Sequence, residues 1–267
     1  MLLGVETRVT IETQFWTVAE RILMNNLMGY LQTEDKVLLY CVYYMPMHLY
    51  SSYHIYTKHL LPYMKEKIVF IDFGCGPLTS GIAFWATSSH TNITYIGIDR
   101  SEAMLKKAKD INRNGLFQDT HRPFFEKEHF LTDFVQLPPY LERVEIGNPN
   151  NALIILNFCY ILASHTFDDN EKLDSLIGVI NRVVNEYEKY KICFVYQNPV
   201  RTEFQENWCY LKSWVIRPNS IFALSGFSDQ DSTKKERLRY ETILGEMHFT
   251  IVSYDSFNNF SFKNNSD

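Results

Sequence analysis

The chain has no C-x-x-C pair, no surplus of positive charge, and no uninterrupted apolar run of the roughly 18 residues that a membrane span needs. Each absence removes a class of protein. The five cysteines, Cys41, Cys75, Cys159, Cys193 and Cys209, are scattered, which argues against a disulfide framework and against a zinc site. Cys41, Cys159 and Cys193 lie inside apolar runs, where a thiol behaves as a small buried hydrophobe. A reducing, cytoplasmic setting is expected. The opening MLLGVETRVT lacks the basic flank and long apolar stretch of a secretory signal. A net charge of −5 disfavours nucleic acid as a partner without excluding it, and no membrane partner is expected.

What is present is enough material for a core. Hydrophobic residues make up 46% and charged residues 21% of 267 positions, a composition that folds. The length suits one large domain, or a core domain with a small appendage. Tyrosine and phenylalanine are abundant, at 17 and 19; most belong in a core, and a tyrosine-rich surface also suits a binding wall.

Hydrophobic spacing divides the chain. Residues 10–32 read as an amphipathic helix, with apolar side chains three and four apart. Thr33 is placed to cap a second helix over 34–45, ending near Pro46, and a third runs over 47–61 with Leu49, Tyr53, Tyr56 and Leu60 on one stripe, closed by Pro62. The pattern then changes to short apolar runs separated by helices. KIVFIDF, NITYIGID, a segment near 124–131, NALIILNFCYIL and KICFVYQNP read as strands. Helices are expected over 78–88, after Ser101 as far as Gly115, and over 169–188. Further strands are expected at 239–246 and 248–254, then a polar tail. Apolar strands alternating with helices predict a Rossmann-like, mostly parallel sheet with helices on both faces. The expected organisation is a helical cap over 1–65, a sheet domain over 66–255 and a tail over 256–267. The cap is expected to form a lid, with Tyr53 or Tyr56 walling the site.

The chemistry centres on IDFGCGPLTSGIAF, residues 71–84. In an open parallel sheet the ligand sits beyond the carboxyl ends of the strands, which puts this turn in the site. Gly74 and Gly76 let the backbone bend and approach a ligand closely. A dinucleotide turn, G-x-G-x-x-G, wants a third glycine where Thr79 stands. Asp72 beside a pyrophosphate would also be repelled by several kcal/mol at an effective dielectric of about 20. A cationic ligand without phosphate removes the conflict. S-adenosylmethionine has a sulfonium and an ammonium, and a carboxylate at the strand end suits the ammonium.

VFIDFGCGPLTSGIAF resembles motif I of the class I S-adenosylmethionine-dependent methyltransferases, an acidic residue followed by G-x-G. The resemblance extends over about 66–200. It implies that Asp99, ending YIGIDRSEAMLKKAK, accepts both ribose hydroxyls and that Met104 packs on adenine. It implies that Asp133, in HFLTDFVQLP, accepts from the adenine amino group with Phe134 beside it, and that Asn157 and Phe158 lie under the methyl group. Cys75 and Thr79 of the turn, and Arg100 beside Asp99, complete the cofactor-contacting set. Tyr160 and His165 are the candidates for a catalytic role, and no metal is implied. The spacing from Asp99 to Asp133 is long for the family and implies an inserted loop near 113–123.

Each residue also has a purely structural reading: Asp72 as a turn cap, Asp99 as a helix-start acid, Met104 as core, Asp133 as a loop acid and His165 at a helix entry. The resemblance implies methyl transfer, and the acidic net charge and the aromatic N-terminal helices favour a small molecule or protein as acceptor. The alternatives are an RNA methyltransferase and a non-catalytic S-adenosylmethionine-binding partner. Base-amino methyltransferases use an Asn/Asp-Pro-Pro-aromatic turn, and NFCY here lacks both prolines.

Overall fold

The computed structural model describes residues 31–88, 92–115, 123–164, 167, 170–197, 206–215, 221–225, 235–242 and 245–252. The expected helix over 10–32, His165 and the tail therefore lie outside the described residues, apart from residues 31 and 32.

Helix α1 (Thr33–Tyr43) and helix α2 (Met45–Ile55) lead the described chain. Pro46 sits in the first turn of α2 rather than closing α1, because a proline lacks the N–H that a first turn leaves unpaired anyway. Gln32, not Thr33, occupies the N-cap of α1, and it makes no side-chain cap bond. The expected third helix continues past Ile55 as one wide π turn, Tyr56–Leu60, and a tight turn, Leu61–Tyr63, ahead of the sheet.

The sheet domain then runs β1 (Lys67–Phe73), α3 (Thr79–Thr87), β2 (Ile93–Ile98), α4 (Glu102–Asn114), β3 (Lys127–Leu131), α5 (Leu137–Leu141), β4 (Ala152–Cys159), α6 (Asn170–Glu186), β5 (Lys191–Gln197), α7 (Glu206–Val215) and β6 (Ile221–Ser225). The strand order is β3-β2-β1-β4-β5-β6, and every neighbouring pair is parallel. This is the expected Rossmann-like sheet. The caps of α4 are as the sequence predicts: Ser101 Oγ accepts from the Met104 N–H, and Gly115 ends the helix at φ +75°. Helices α5 and α7 and strand β6 had no counterpart in the sequence reading. The late strands form an antiparallel pair, β7 (Lys235–Thr242) and β8 (Gly245–Val252), a few residues earlier than expected.

Strand pleating sorts the core into two faces. Val69, Ile71, Phe73, Ile154, Leu156, Phe158 and Phe194 pack with α5, α6 and α7. Ile68, Phe70, Tyr95, Leu153, Ile155 and Val195 pack with α3, α4 and the cap residues Ile55, Tyr56 and Leu60. Asp72, Asn157 and Gln197 continue this second face at the strand ends, where apolar residues give way to buried polar ones. No helix among the described residues is long and apolar enough to cross a membrane.

Candidate functional site

The chain leaves β1 for β2 and β3 on one side and returns to β4 on the other. The switch point therefore falls between β1 and β4, where a crevice opens beyond the strand ends. The glycine turn lies there. Gly74 and Gly76 have φ of +70° and +53°, a left-handed region that other residues enter only with strain. The Gly74 and Cys75 N–H groups donate to Ile98 O at 2.8 and 3.1 Å, tying the turn to the end of β2. A Cβ on Gly74 would stand 2.8 Å from Ile161, so a side chain is excluded there by space as well. Leu78 also has a positive φ, +73°, and its fully buried side chain holds it there.

Asp99 is the hinge between the turn and the next helix. Its Oδ2 accepts from the Gly76 N–H at 3.0 Å and its Oδ1 from the Ser101 N–H at 2.8 Å. Burial pushes its pKa up, and the two backbone N–H groups pull against that. Each oxygen has a second lone pair left to accept with.

Asp72 differs from the sequence expectation. It is 0% exposed and lies beneath the turn, not at its mouth. Ser80 Oγ and Tyr95 OH donate to its Oδ2 at 2.6 and 2.8 Å, and Asn157 Nδ2 donates to its Oδ1 at 2.8 Å. It is thus a buried node joining β1, β2, β4 and α3, and any influence on a ligand's charge acts through that framework. The residue reads this way because pleating turns it inward, toward Tyr95. Burial raises its pKa to about 6, against the donation from Ser80, Asn157 and Tyr95.

The sign of the resulting pH effect follows from linkage. Between 3.8 and about 6 the folded chain keeps a proton on Asp72 that the unfolded chain gives up. This group's contribution to stability is therefore greatest at the acid end and falls as pH rises through that window. Urea unfolding of the wild type and of Asp72→Asn across the window is expected to show wild type losing ground steadily to the variant. A gap that does not vary with pH would refute this.

A polar network continues from Asp72 along the strand ends. Tyr56, at the start of the π turn, donates to Asn157 Oδ1 at 2.9 Å. Ser52 donates to Gln197 Oε1 at 3.1 Å, and Gln197 Nε2 donates to Tyr160 OH at 2.8 Å and to Ser51 Oγ. Cys159 lies within this network, its Sγ 3.2 Å from Gln197 Oε1; burial pushes its pKa up to about 12, so it is a thiol and not a nucleophile. Tyr160 has φ +61° with a bulky side chain, the kind of strain that collects at functional sites.

Above the turn lie side chains of the cap. His48 stacks on Tyr160, ring centroids 3.8 Å apart and planes within 18°. Its Nδ1 shares a hydrogen bond with Tyr40 OH at 3.0 Å. Burial pushes the imidazole pKa down to about 4, so the ring is neutral near pH 7. Tyr40, His48 and Ser52 from the cap, Gly74 and Cys75 from the turn, Thr79 and Ser80 from the start of α3, Cys159 at the end of β4 and Tyr160 just past it line one cavity. Thr79 Oγ1 is buried with no hydrogen bond of ordinary geometry, although the Tyr40 phenol lies near it.

The remaining sequence candidates scatter. Met104 is half-buried on α4, and Arg100 is exposed. Asp133 is exposed beyond the edge strand β3 and accepts from the Val135 N–H at 3.0 Å. Phe134 is half-buried against the α6 side of the core. Phe158 does not face the turn: its ring is fully buried on the opposite sheet face, stacked on Phe73 at 4.7 Å. Pleating requires this, since its neighbour Asn157 faces the turn side. Tyr53 is 41% exposed, whereas Tyr56 reaches the site. The site residues that sequence reasoning missed are Tyr40, His48, Ser51, Ser52, Ser80, Tyr95, Cys159 and Gln197. One signal was there to read: His48, Ser51 and Ser52 recur at helical spacing on α2, a polar stripe on an otherwise apolar segment.

No protein-family model matches the chain, and no curated protein matches its sequence. Among solved structures it is similar to a SAM-dependent methyltransferase from Methanosarcina mazei, with 12% identity, 72% of this chain and 94% of that one covered, and a TM-score of 0.32. It is similar to the mitomycin 7-O-methyltransferase MmcR at 12% identity, 74% and 46% coverage and a TM-score of 0.35. The plantazolicin methyltransferase BpumL in complex with SAH gives 12% identity, 76% and 66% coverage and a TM-score of 0.27. These identities and scores are low, so the assignment that follows rests on this chain's own residues.

Proposed function

We propose that the chain is an S-adenosylmethionine-dependent methyltransferase, with a small molecule or a protein as acceptor. The observation that carries this is the Asp99 carboxylate at the end of β2, holding the N–H of Gly76 in a positive-φ turn at the β1/β4 switch point. Its spare lone pairs suit a vicinal diol. The buried Thr79 hydroxyl offers a further polar contact at the start of α3. A dinucleotide suits the turn less well. Pro77 removes an N–H where a pyrophosphate would be held, Leu78 fills the space of a small residue with a buried side chain, and Asp72 and Asp99 raise the negative potential beneath.

Bound S-adenosylmethionine supplies a methyl group already activated by positive sulfur. The chain's share of the work is then positioning. Asp99 orients the sugar, with Met104 on the adjoining helix as an adenine contact and the exposed Asp133 beyond β3 as a further polar contact, while Phe134 packs toward the other sheet face. The Asp72–Asn157 pair keeps the floor rigid, and Tyr160, at the end of β4, is the residue nearest in role to a catalyst. Asn157 donates to Asp72, accepts from both Tyr56 and the Cys159 thiol and is fully buried, so its amide is not free to receive a base amino group. That supports the reading against base-amino chemistry on nucleic acid. The cytoplasmic setting expected from the cysteines belongs to the same proposal.

Calorimetry tests the assignment: S-adenosylhomocysteine is expected to bind with micromolar affinity, and NAD is expected not to compete. Tighter binding of NAD would overturn it. A labelled-methyl assay on metabolite, protein and RNA fractions then identifies the acceptor.

Asp99→Ala is expected to weaken S-adenosylhomocysteine binding about a hundredfold, or about 2.7 kcal/mol. It removes the bonds to the diol and also frees the Gly76 N–H, each charge-assisted bond contributing about 1.5–3 kcal/mol. Unchanged affinity in a folded variant would mean that Asp99 serves only to start α4.

A further inference from the structure

The chemistry at the glycine turn suits a ligand, yet the space there does not. The cavity between the turn and the cap is about 10 Å3, the room of one water, whereas small-ligand sites hold roughly 300–1,000 Å3. The missing volume is filled by rings. A Cβ placed on Gly76 would meet only the Tyr40 ring, at 3.9 Å. His48 lies between Tyr40 and Tyr160, bonded to the first and stacked on the second.

We infer that Tyr40, His48 and Tyr160 form an aromatic plug in the place of the ligand's amino-acid end, so that the chain closes its own site and binding requires α1 and the first turn of α2 to lift. This rests on the S-adenosylmethionine site proposed above.

The plug is built to be displaced. Among the described side chains of α1 only Val37 is buried, while Leu38 and Val42 are 53% and 49% exposed, and in the first turn of α2 Met45 is the one described side chain that joins the core. The far end of the cap is anchored differently, by Ile55, Tyr56 and Leu60 at 0% exposure. The anchored end holds the cap to the sheet while the lightly held end carries Tyr40. Among the described residues the contacts that hold the plug include the Tyr40–His48 hydrogen bond, the His48–Tyr160 stack, the Tyr44 ring beside Tyr40, and the bonds between the Tyr160 hydroxyl and Gln197 and Ser51. Tyr160 is kept at a positive φ, and its neutral ring neighbour His48 stacks without a charge to solvate. The Thr79 hydroxyl, buried without a well-formed bond beneath the Tyr40 phenol, is a polar group that the closed state leaves poorly satisfied.

A ligand that binds only the open state has its apparent affinity reduced by the open fraction. Weakening the plug therefore tightens binding. Calorimetry and stopped-flow association with S-adenosylhomocysteine would be measured on the full chain, on His48→Ala and on Tyr40→Phe, with circular dichroism to check folding. His48→Ala removes the stack and the hydrogen bond together, and is expected to bind about tenfold tighter and to associate faster. Tyr40→Phe keeps the ring and is expected to bind about threefold tighter, which preserves the test if His48→Ala does not fold. Amide exchange over residues 33–50 of the ligand-free chain is expected to be faster in both variants. Equal or weaker binding in the folded variants would overturn the plug and leave the ligand assignment standing, since the rings would then be ligand contacts. No binding by wild type or by either variant would overturn the assignment and the plug with it.

Discussion

A chain that begins at Lys65 is expected not to fold: it should be insoluble or bind S-adenosylhomocysteine not at all. The cap is not an ornament on a finished domain. Ile55, Tyr56 and Leu60 are buried with Phe70, Phe84 and Ile82 in one core. Tyr56 meets Phe70 and Phe84 edge-on at 5.9 and 5.7 Å. Each such side chain contributes about 1.5–3 kcal/mol on burial, so loss of three approaches the 5–15 kcal/mol by which a domain is stable at all. The truncation also strips partners from Asn157 and Gln197, leaving buried polar atoms unmatched. A soluble, cooperatively unfolding fragment from Lys65 onward that binds S-adenosylhomocysteine as the whole chain does would show that the cap serves some other purpose.

The second large effect is expected from Asp72→Ala. The variant leaves the Ser80 and Tyr95 hydroxyls and the Asn157 amide without their acceptor, all of them buried. A buried donor left unpaired costs about 1–3 kcal/mol, so the loss should reach at least about 3 kcal/mol. For a chain of this size that is a fall in Tm of about 6–12 °C. Asp72→Asn keeps the shape and one acceptor and should lose less. Scanning calorimetry on the two variants decides it: a stable Asp72→Ala would mean that the node is not structural. The same experiment separates the two carboxylates, because Asp99→Ala is expected to affect ligand binding far more than stability.

The parts of this molecule that were legible in advance are those governed by local rules. β1, β2, β4 and β5 were readable as short apolar runs, because a strand covered on both faces must be apolar along its whole length. Ser101 and Gly115 marked the ends of α4 through their own side-chain and backbone chemistry. Gly74, Gly76 and Asp99 were legible as a turn and its acid for a similar reason: a turn that needs positive φ, and an acid at a strand end, are recorded in residue types at fixed spacing. Helix α5 was hidden because Pro138 and Pro139 in its first turn read as a loop, although proline is at home in the first turn of a helix. Strand β6, at the sheet edge beside β5, carries no signal apart from a short apolar stretch.

What the sequence by itself determined was the class of sheet, the place of the turn and the identity of the acid that serves it. Only the tertiary structure decided what each polar side chain near that turn does. Asp72 and Phe158 show the division. Both stand at strand ends in apolar runs, and both were assigned to the ligand. Pleating sends Asp72 toward Ser80, Tyr95 and Asn157, and sends Phe158 to Phe73 on the other face. That outcome depends on residues 8, 23 and 85 positions away from Asp72, which no local pattern records. The cap was visible as helices with apolar stripes. That Tyr40 and His48 reach across to Gly76 and Tyr160 follows from how those helices lie on the sheet, a choice set by the packing of Ile55, Tyr56 and Leu60 and not by any spacing within the helices themselves.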